Sequence, residues 1–316
     1  MPKKQLNITV LMPVYNGAKH IRSSIKSILN QTYKDFEFLI IDDGSTDNTE
    51  EIVHGFNDPR IIYKKTEHKG TSSAMNYGIS TSSGNWIARI DSDDLNIPAR
   101  LEKQAEFISK YPSFDIISSW SIYFRTSGKI LFFLKEPVDH EEIYNILNLH
   151  NPLNSSGVIY KKNIIKKAKY NEDFKRFEDF ELFFRIRDEV RFHNIPEFLS
   201  YSRFKKSTAA DGDKDAIFDV INDYALRHLI NSTRKRDQFY WATTIAWQNF
   251  FYGDKKNSRS YFKRIPNIKN IAAYGATFLP EKLFSYTAEN KINYRLSDLF
   301  KSKKIFAREL GQLLSQ

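Results

Sequence analysis

Residues Trp86-Ile87-Ala88-Arg89-Ile90-Asp91-Ser92-Asp93-Asp94 run from an apolar segment straight into three carboxylates and a serine. A short run of this kind, closed by turn formers, predicts a buried strand over Trp86–Ile90 that ends at an acidic turn. The same pattern occurs twice upstream. Asn7–Met12 reads as a strand ended by Pro13 and followed by Val14-Tyr15-Asn16-Gly17, and Phe36–Ile41 as a strand followed by Asp42-Asp43-Gly44-Ser45. Helix-like stretches separate these strands. Over Ala18–Asn30, Ile21, Ile25, Ile28 and Leu29 fall on one face; a helix starts near Asp47–Glu51; Ile61–Lys64 is a short strand; Ser72–Ile79 is helical. Strands alternating with helices predict an α/β fold with a mostly parallel sheet. Ligands bind at the carboxyl edge of such sheets, where all three polar clusters stand. Asp, Asn, Gly and Ser are also ordinary turn residues, so one cluster alone decides nothing and the coincidence of three points to a site.

Working outward, Ile97–Lys110 reads as a helix opened by Pro98, and Ile116–Phe124 and Lys129–Leu134 as strands joined by a hairpin at Ser127-Gly128. Residues 139–149 read as helical, Gly157–Tyr160 as strand, and Phe177–Arg187 as an amphipathic helix. The mixed pattern stops after Ile195–Phe204; Lys205–Lys214 reads as a linker, and helical periodicity dominates from Ala216. The expected organisation is an α/β catalytic domain over 1–210 and a basic, aromatic-rich helical region over 211–316.

Composition narrows the function. The 316 residues include no Cys, which excludes a disulfide framework, a thiolate zinc site and a cysteine nucleophile. No secretory signal is evident at the N-terminus. The longest tempting uncharged stretch, Asn270–Pro280, is half the roughly 20 residues a spanning helix needs. The expected address is cytoplasmic. The formal charge of +10 is concentrated: residues 231–316 hold 16 Lys/Arg against 6 Asp/Glu, and the rest of the chain is balanced.

Asp91-Ser92-Asp93 is an Asp-x-Asp sequence just past a strand. Once a turn converges the two carboxylates, they suit a hard cation such as Mg²⁺ or Mn²⁺, which fills its shell with water and substrate phosphate. Taken alone, Asp-x-Asp is common. Glu178, Asp179 and Glu181, read by themselves, form the acidic first turn of a helix.

The strings VLMPVYNG (10–17), FLIIDDGSTDNT (38–49), GTSSAMNYGI (70–79), IARIDSDD (87–94) and FEDFELFFR (177–185) occur in an order and spacing that resemble the family 2 glycosyltransferases. The resemblance covers about residues 6–205, including IPEFLSYSRF (195–204). It implies a GT-A fold and an inverting, nucleotide-sugar-dependent, metal-dependent enzyme. Position by position, it assigns Pro13, Val14 and Tyr15 to a nucleoside pocket, with the Tyr15 ring against the base, and Asp43 to the base imide. A carboxylate accepts from the single N–H of uracil and cannot do so from N3 of cytosine; thymine presents the same edge as uracil. Asp91 and Ser92 fall near ribose and diphosphate, Asp93 becomes the metal ligand, and Asp179 becomes the general base that deprotonates an acceptor hydroxyl. The donor implied is a UDP-sugar. The acceptor implied is a glycan or a lipid-linked molecule of cell-surface polysaccharide synthesis. Two positions depart from the pattern: Asn154 stands where a His is frequent, and Met75 where an Arg is frequent. His193 is a further candidate ligand, although a lone His beside Phe192 is more often structural.

Two other functions compete. A sugar-phosphate nucleotidyltransferase shares the sheet but opens with a Gly-rich, Arg-containing loop that Pro13–Gly17 does not provide. A catalytically silent, membrane-associated scaffold would not need Asp43, Asp91, Asp93 and Asp179 together. In the C-terminal region, aromatic patches alternate with basic clusters. That pattern fits a helical bundle packed on the catalytic domain, docking on an anionic membrane surface, or, least well, nucleic acid.

Overall fold

The structure, a computed structural model, describes residues 6–148, 150–174 and 176–204 and seven helical positions scattered between 242 and 262. Two compact units divide the chain. Among the described residues, 6–144 and 151–204 make the first, and 145–150 with the positions between 242 and 262 fall in the second. In the second unit the Ser258 hydroxyl donates to the Ala246 carbonyl at 3.2 Å. The linker over 205–214, the domain boundary at 210 and nearly all of 211–316 lie outside the described residues.

The first unit is built on a nine-stranded sheet. Its parallel half runs β3 (Ile61–Lys65), β2 (Phe36–Asp42), β1 (Ile8–Val14), β4 (Trp86–Arg89). The sheet continues through β8 (Ile159–Lys161), β6 (Ile116–Phe124), β9 (Phe192–Arg203) and β5 (Leu95–Asn96), while β7 (Ile130–Leu134) forms a hairpin with β6. Within this second half only β6 and β9 pair in parallel. Every residue of β1 and β4 is buried, as expected of strands covered on both faces. Helix α1 (Ile21–Leu29) turns Ile21, Ile25 and Ile28 into the core that holds Val10, Met12, Phe38 and Ile40. The other helices are α2 (Thr49–His54), α3 (Thr71–Thr81), α4 (Arg100–Lys110), α5 (His140–Ile146), α6 (Lys162–Ala168) and α7 (Glu178–Ile186).

Most expected elements are present within a few residues, with three differences. Pro13 does not end its strand: β1 continues to Val14, with Pro13 opposite Ile41 on β2. The Val14 carbonyl faces β2, where it accepts from Asp43, so the alternating backbone turns Pro13 toward β4, which has already ended at Arg89 opposite Leu11. No ladder bond is lost where the missing N–H points. Leu95–Asn96, next to the expected start of a helix at Ile97, is a short strand on β9, and that helix begins at Arg100. Residues Ser155–Gly157 form a 3₁₀ turn ahead of β8, and α6 follows at once. Among the described residues no helix is long and apolar enough to cross a membrane.

Candidate active site

The loops after β1 and β2 are tied together. The Asn16 amide donates to the Ser45 hydroxyl at 2.9 Å, Gly17 N to Thr49 Oγ1 at 2.9 Å and Ala18 N to Asp47 at 3.0 Å. Asp42 is consumed structurally, accepting from Ser45 N and from the Tyr63 hydroxyl, whose pKa rises through burial and this bond. Asp43 turns the other way. Its buried carboxylate accepts from His68 Nδ1, Lys69 N and Gly70 N, each at 2.8 Å, so the 66–70 segment is folded over it. Gly44 makes room for that segment: its φ is +77°, and a β-carbon there would lie 2.9 Å from His68 N. A carboxylate offers about four lone-pair sites, so Asp43 retains one acceptor position on Oδ1. Tyr15, 46% exposed, stacks on His68 with ring centroids 3.9 Å apart. Pro13 and Val14 line the buried strand end beneath. Tyr15 and Asp43 therefore belong to one cluster, and its third member, His68, was missed because only the fold brings it there.

The β1 loop also reaches the acidic turn. Gly17 lies beside it: a β-carbon there would stand in ordinary contact, at 3.5 Å, with the Ser92 hydroxyl, and its close approach is instead to Val14 Cγ2, at 2.5 Å. Ser24 Oγ fixes the same turn by donating to the Ser92 carbonyl at 2.9 Å. The three carboxylates then diverge in role. Asp91, 35% exposed at its side chain, pairs with the Arg89 guanidinium at 3.1 Å. Asp94 is buried, accepting from Arg203 N at 2.6 Å and from the Ser156 hydroxyl. Burial, with the charges of Asp93 and Asp91 beside it, pushes its carboxyl well above the usual range. Asp93 is half-buried, and its carbonyl accepts from Arg203 Nε at 2.8 Å.

Among the described residues no group of three or more His, Asp or Glu side chains is placed to hold a metal ion. The donors present suit a cation that takes one or two carboxylates and completes its shell with substrate phosphate and water. Asp93 and the outer side of Asp91 would hold it; Asp94 is committed elsewhere. His193 does not join them. It stacks on Phe107 at 4.3 Å beside Phe114, and burial lowers its pKa, so the structural reading holds.

Asp179 arrives from far along the chain. Phe177, with φ at +56°, caps α7 and sets Glu178 and Asp179 in its first turn. The Asp179 carboxylate is nearly buried and accepts from the Ser155 hydroxyl and from Phe180 N. Ser156, the next residue, accepts from Asp91 N at 3.0 Å and donates to Asp94. One serine of the 155–157 turn thus touches the acidic turn and its neighbour touches the candidate base. Asn154 caps this turn by accepting from Ser156 N at 3.0 Å, and its amide donates to Ser200 Oγ at 2.7 Å. From behind, Gln104 donates to the Gly157 carbonyl and Arg100 to those of Val158 and Arg89. Met75, at the position often held by Arg, is fully buried.

The sequence profile of Glycosyl transferase family 2 matches residues 9–172, more than half of the chain and, but for Ile8, all of strands β1 to β8. The chain belongs to this family. An uncharacterized glycosyltransferase of Methanocaldococcus jannaschii is 34% identical over 254 residues, covering 78% of this chain and 85% of its own. The O-antigen biosynthesis glycosyltransferase WbnJ of Escherichia coli is 34% identical over 64% of this chain and 81% of its own. Some relatives are longer: the chain spans 58% of a matching Rickettsia typhi glycosyltransferase and 34% of a Rickettsia conorii one. Among solved structures, S. aureus TarS 1-349 in complex with UDP-GlcNAc matches with a TM-score of 0.61 at 16% identity, over 92% of this chain and 93% of that one. The mannosyltransferase PcManGT from Pyrobaculum calidifontis, in complex with GDP-Man and Mn²⁺, matches at 0.56 and 16% identity, over 99% and 86%. At these identities the likeness speaks to the fold, which is GT-A.

Proposed function

We propose that this family 2 glycosyltransferase moves a sugar from a UDP-sugar to a hydroxyl of a glycan or lipid-linked acceptor in cell-surface polysaccharide synthesis, inverting the anomeric carbon. The observation that carries the reading is the 155–157 turn, which holds Asp91 through Ser156 and Asp179 through Ser155 and so sets a donor-side and a base-side group against one support. In this reading Tyr15 and the free acceptor position of Asp43 take the base, and Pro13 and Val14 form the floor beneath it. Asp91 and Ser92 flank ribose and diphosphate. Asp179 accepts the acceptor hydroxyl's proton as that oxygen attacks the anomeric carbon, and the bond to the nucleoside diphosphate breaks on the opposite face, which inverts the centre. Asp93, with the outer side of Asp91, would hold a divalent cation, Mg²⁺ or Mn²⁺, which when bound would neutralise charge on the departing diphosphate. The O-antigen relative and the neighbours bound to UDP-GlcNAc and to GDP-Man with Mn²⁺ support the polysaccharide setting, the donor class and the metal. The basic, aromatic-rich 211–316 would dock on the anionic inner face of the membrane, where a lipid-linked acceptor resides; sedimentation with anionic but not zwitterionic vesicles tests that part.

The first experiment is calorimetric titration with UDP, and then with UDP-, dTDP- and GDP-sugars, each with Mn²⁺, Mg²⁺ or chelator. Metal-dependent UDP binding that is weakened about 10- to 100-fold in Asp43→Ala and lost in Asp93→Ala is expected. Asp179→Asn is expected to keep that binding and to slow transfer by about 10²–10⁴-fold. Unchanged transfer in both Asp93→Ala and Asp179→Asn would sink the reading.

A further inference from the structure

Arg89 is a charged residue at the buried end of a core strand. It lies on β4 with its side chain 4% exposed, paired in register with Leu11 of β1. Its main chain is held on both sides: the amide donates to Val158 O at 3.0 Å, and the carbonyl accepts from Arg100 at 3.0 Å. Burying a cation in a sheet is costly unless it is paired, and this one has two partners from distant parts of the chain. Nη2 donates to Glu178 at 2.8 Å, and the same end of the guanidinium meets Asp91 at 3.1 Å, with Nε at 3.2 Å from the same oxygen. Burial works against the Arg89 charge, but Asp91 and Glu178 more than offset it, so the group stays protonated.

Those two partners are not equivalent. Asp91 opens the acidic turn assigned to the donor, whereas Glu178 is the residue before the candidate base, in the same first helical turn. Ser155 and Ser156 already join the two sides through hydroxyls; Arg89 joins them a second time through charge. A planar guanidinium spans two carboxylates in a fixed geometry that a flexible ammonium does not reproduce.

We propose that Arg89 is a positioning residue of the transfer reaction, one fork that fixes Asp91 on the donor side and, through Glu178, the orientation of Asp179 on the acceptor side. This rests on the reading of Asp179 as the base. Among the described residues, the groups whose charge Asp179 influences include Arg89 from β4, Glu178 from its own helix, Tyr160 from β8, Tyr170 from the segment after α6 and Tyr123 from β6. Arg89 is the sole cation among these.

The test uses the full chain and two readouts. One is calorimetric affinity for UDP with Mn²⁺. The other is nucleoside diphosphate release, with water as acceptor, from whichever donor of a UDP-, dTDP- and GDP-sugar panel the wild type hydrolyses fastest, followed across pH. Arg89→Met is expected to weaken UDP binding and to lower kcat by about 10- to 100-fold, below the full effect of losing a base. Its acid limb is expected at higher pH, because three neighbouring carboxylates lose their cation. Glu178→Gln is expected to lower kcat with UDP affinity intact, and the double variant to be no slower than Arg89→Met alone. Arg89→Lys keeps the charge and is expected to restore UDP affinity but only part of kcat; it also decides the matter if Arg89→Met does not fold. A folded Arg89→Met with wild-type affinity, rate and pH profile overturns the inference, as do losses that multiply in the double variant, or a Lys variant with full kcat. If Asp179→Asn itself hydrolyses donor at the wild-type rate, the reading beneath has failed, and that result is distinct from all of these.

Discussion

Asp43 and Asp179 are both buried carboxylates at loop ends, yet two backbone amides and a histidine ring grip the first, while the second leans on a single serine hydroxyl and the amide of the next residue. Amides fixed by a folded segment barely reorient, so the Asp43 end presents one constant shape. A hydroxyl rotates about one bond, so the Asp179 end can shift its carboxylate and exchange a proton as a reaction proceeds. Recognition of a constant nucleoside and chemistry on a changing acceptor ask for this division.

If the division is right, substitutions at the two ends should separate affinity from rate. The largest effect, the slowing in Asp179→Asn, should leave UDP affinity alone. Asp43→Ala should do the reverse: with Lys69 N, Gly70 N and His68 deprived of their acceptor at about 1–3 kcal/mol for a buried orphan, UDP affinity should fall about 10- to 100-fold with little change in kcat at saturation. Titration calorimetry beside steady-state rates checks both, and a kcat collapse in Asp43→Ala would break the comparison. Ser155→Ala should be milder, lowering kcat up to about tenfold for a bond worth about 1 kcal/mol, with unchanged UDP affinity.

The smallest expected effect is on stability. Burial raises the pKa of Tyr123, Tyr160 and Tyr170, the last to about 12, and all three border the Asp179 end. In the unfolded chain they ionise near 10, so their contribution is complete below pH 10 and is lost as pH climbs toward the folded values. Arg100, pushed down to about 9 by burial, acts in the opposite sense between about 9 and its ordinary 12.5. Tyr33 and Tyr63 are raised as well and Arg203 is lowered, yet the tyrosines still outnumber the arginines, so urea midpoints should fall between about pH 10 and 12, and Tyr160→Phe should flatten that fall.

The same two ends differ in how far the sequence discloses them. The parallel half is legible because β1, β2 and β4 are apolar runs closed by turn residues, and Asp43 and Asp91 follow β2 and β4 within two positions. The expected pairing of Tyr15 with Asp43 could be placed on that edge, but not the His68 ring, 25 residues beyond Asp43 and brought back by the pairing of β3 with β2, with Gly44 leaving it room. Near Asp179 less was visible. A two-residue strand such as Leu95–Asn96 has no periodicity to detect, and the 3₁₀ turn at 155–157 looks like any Ser-Gly loop. Arg89 was in plain view, but a charge within an apolar run carries no mark of its partner, which lies 89 residues away in Glu178.

Because β4 stops at Arg89 opposite Leu11 while β1 and β2 continue to Val14 and Asp42, the carboxyl edge of the sheet is not level. Three further residues at about 3.3 Å each make a step of about 10 Å beside the longer strands. The acidic turn therefore begins on a ledge below the rim that carries Tyr15 and Asp43. A ligand laid along the edge meets its two ends at different heights, and its bridging portion must descend between them.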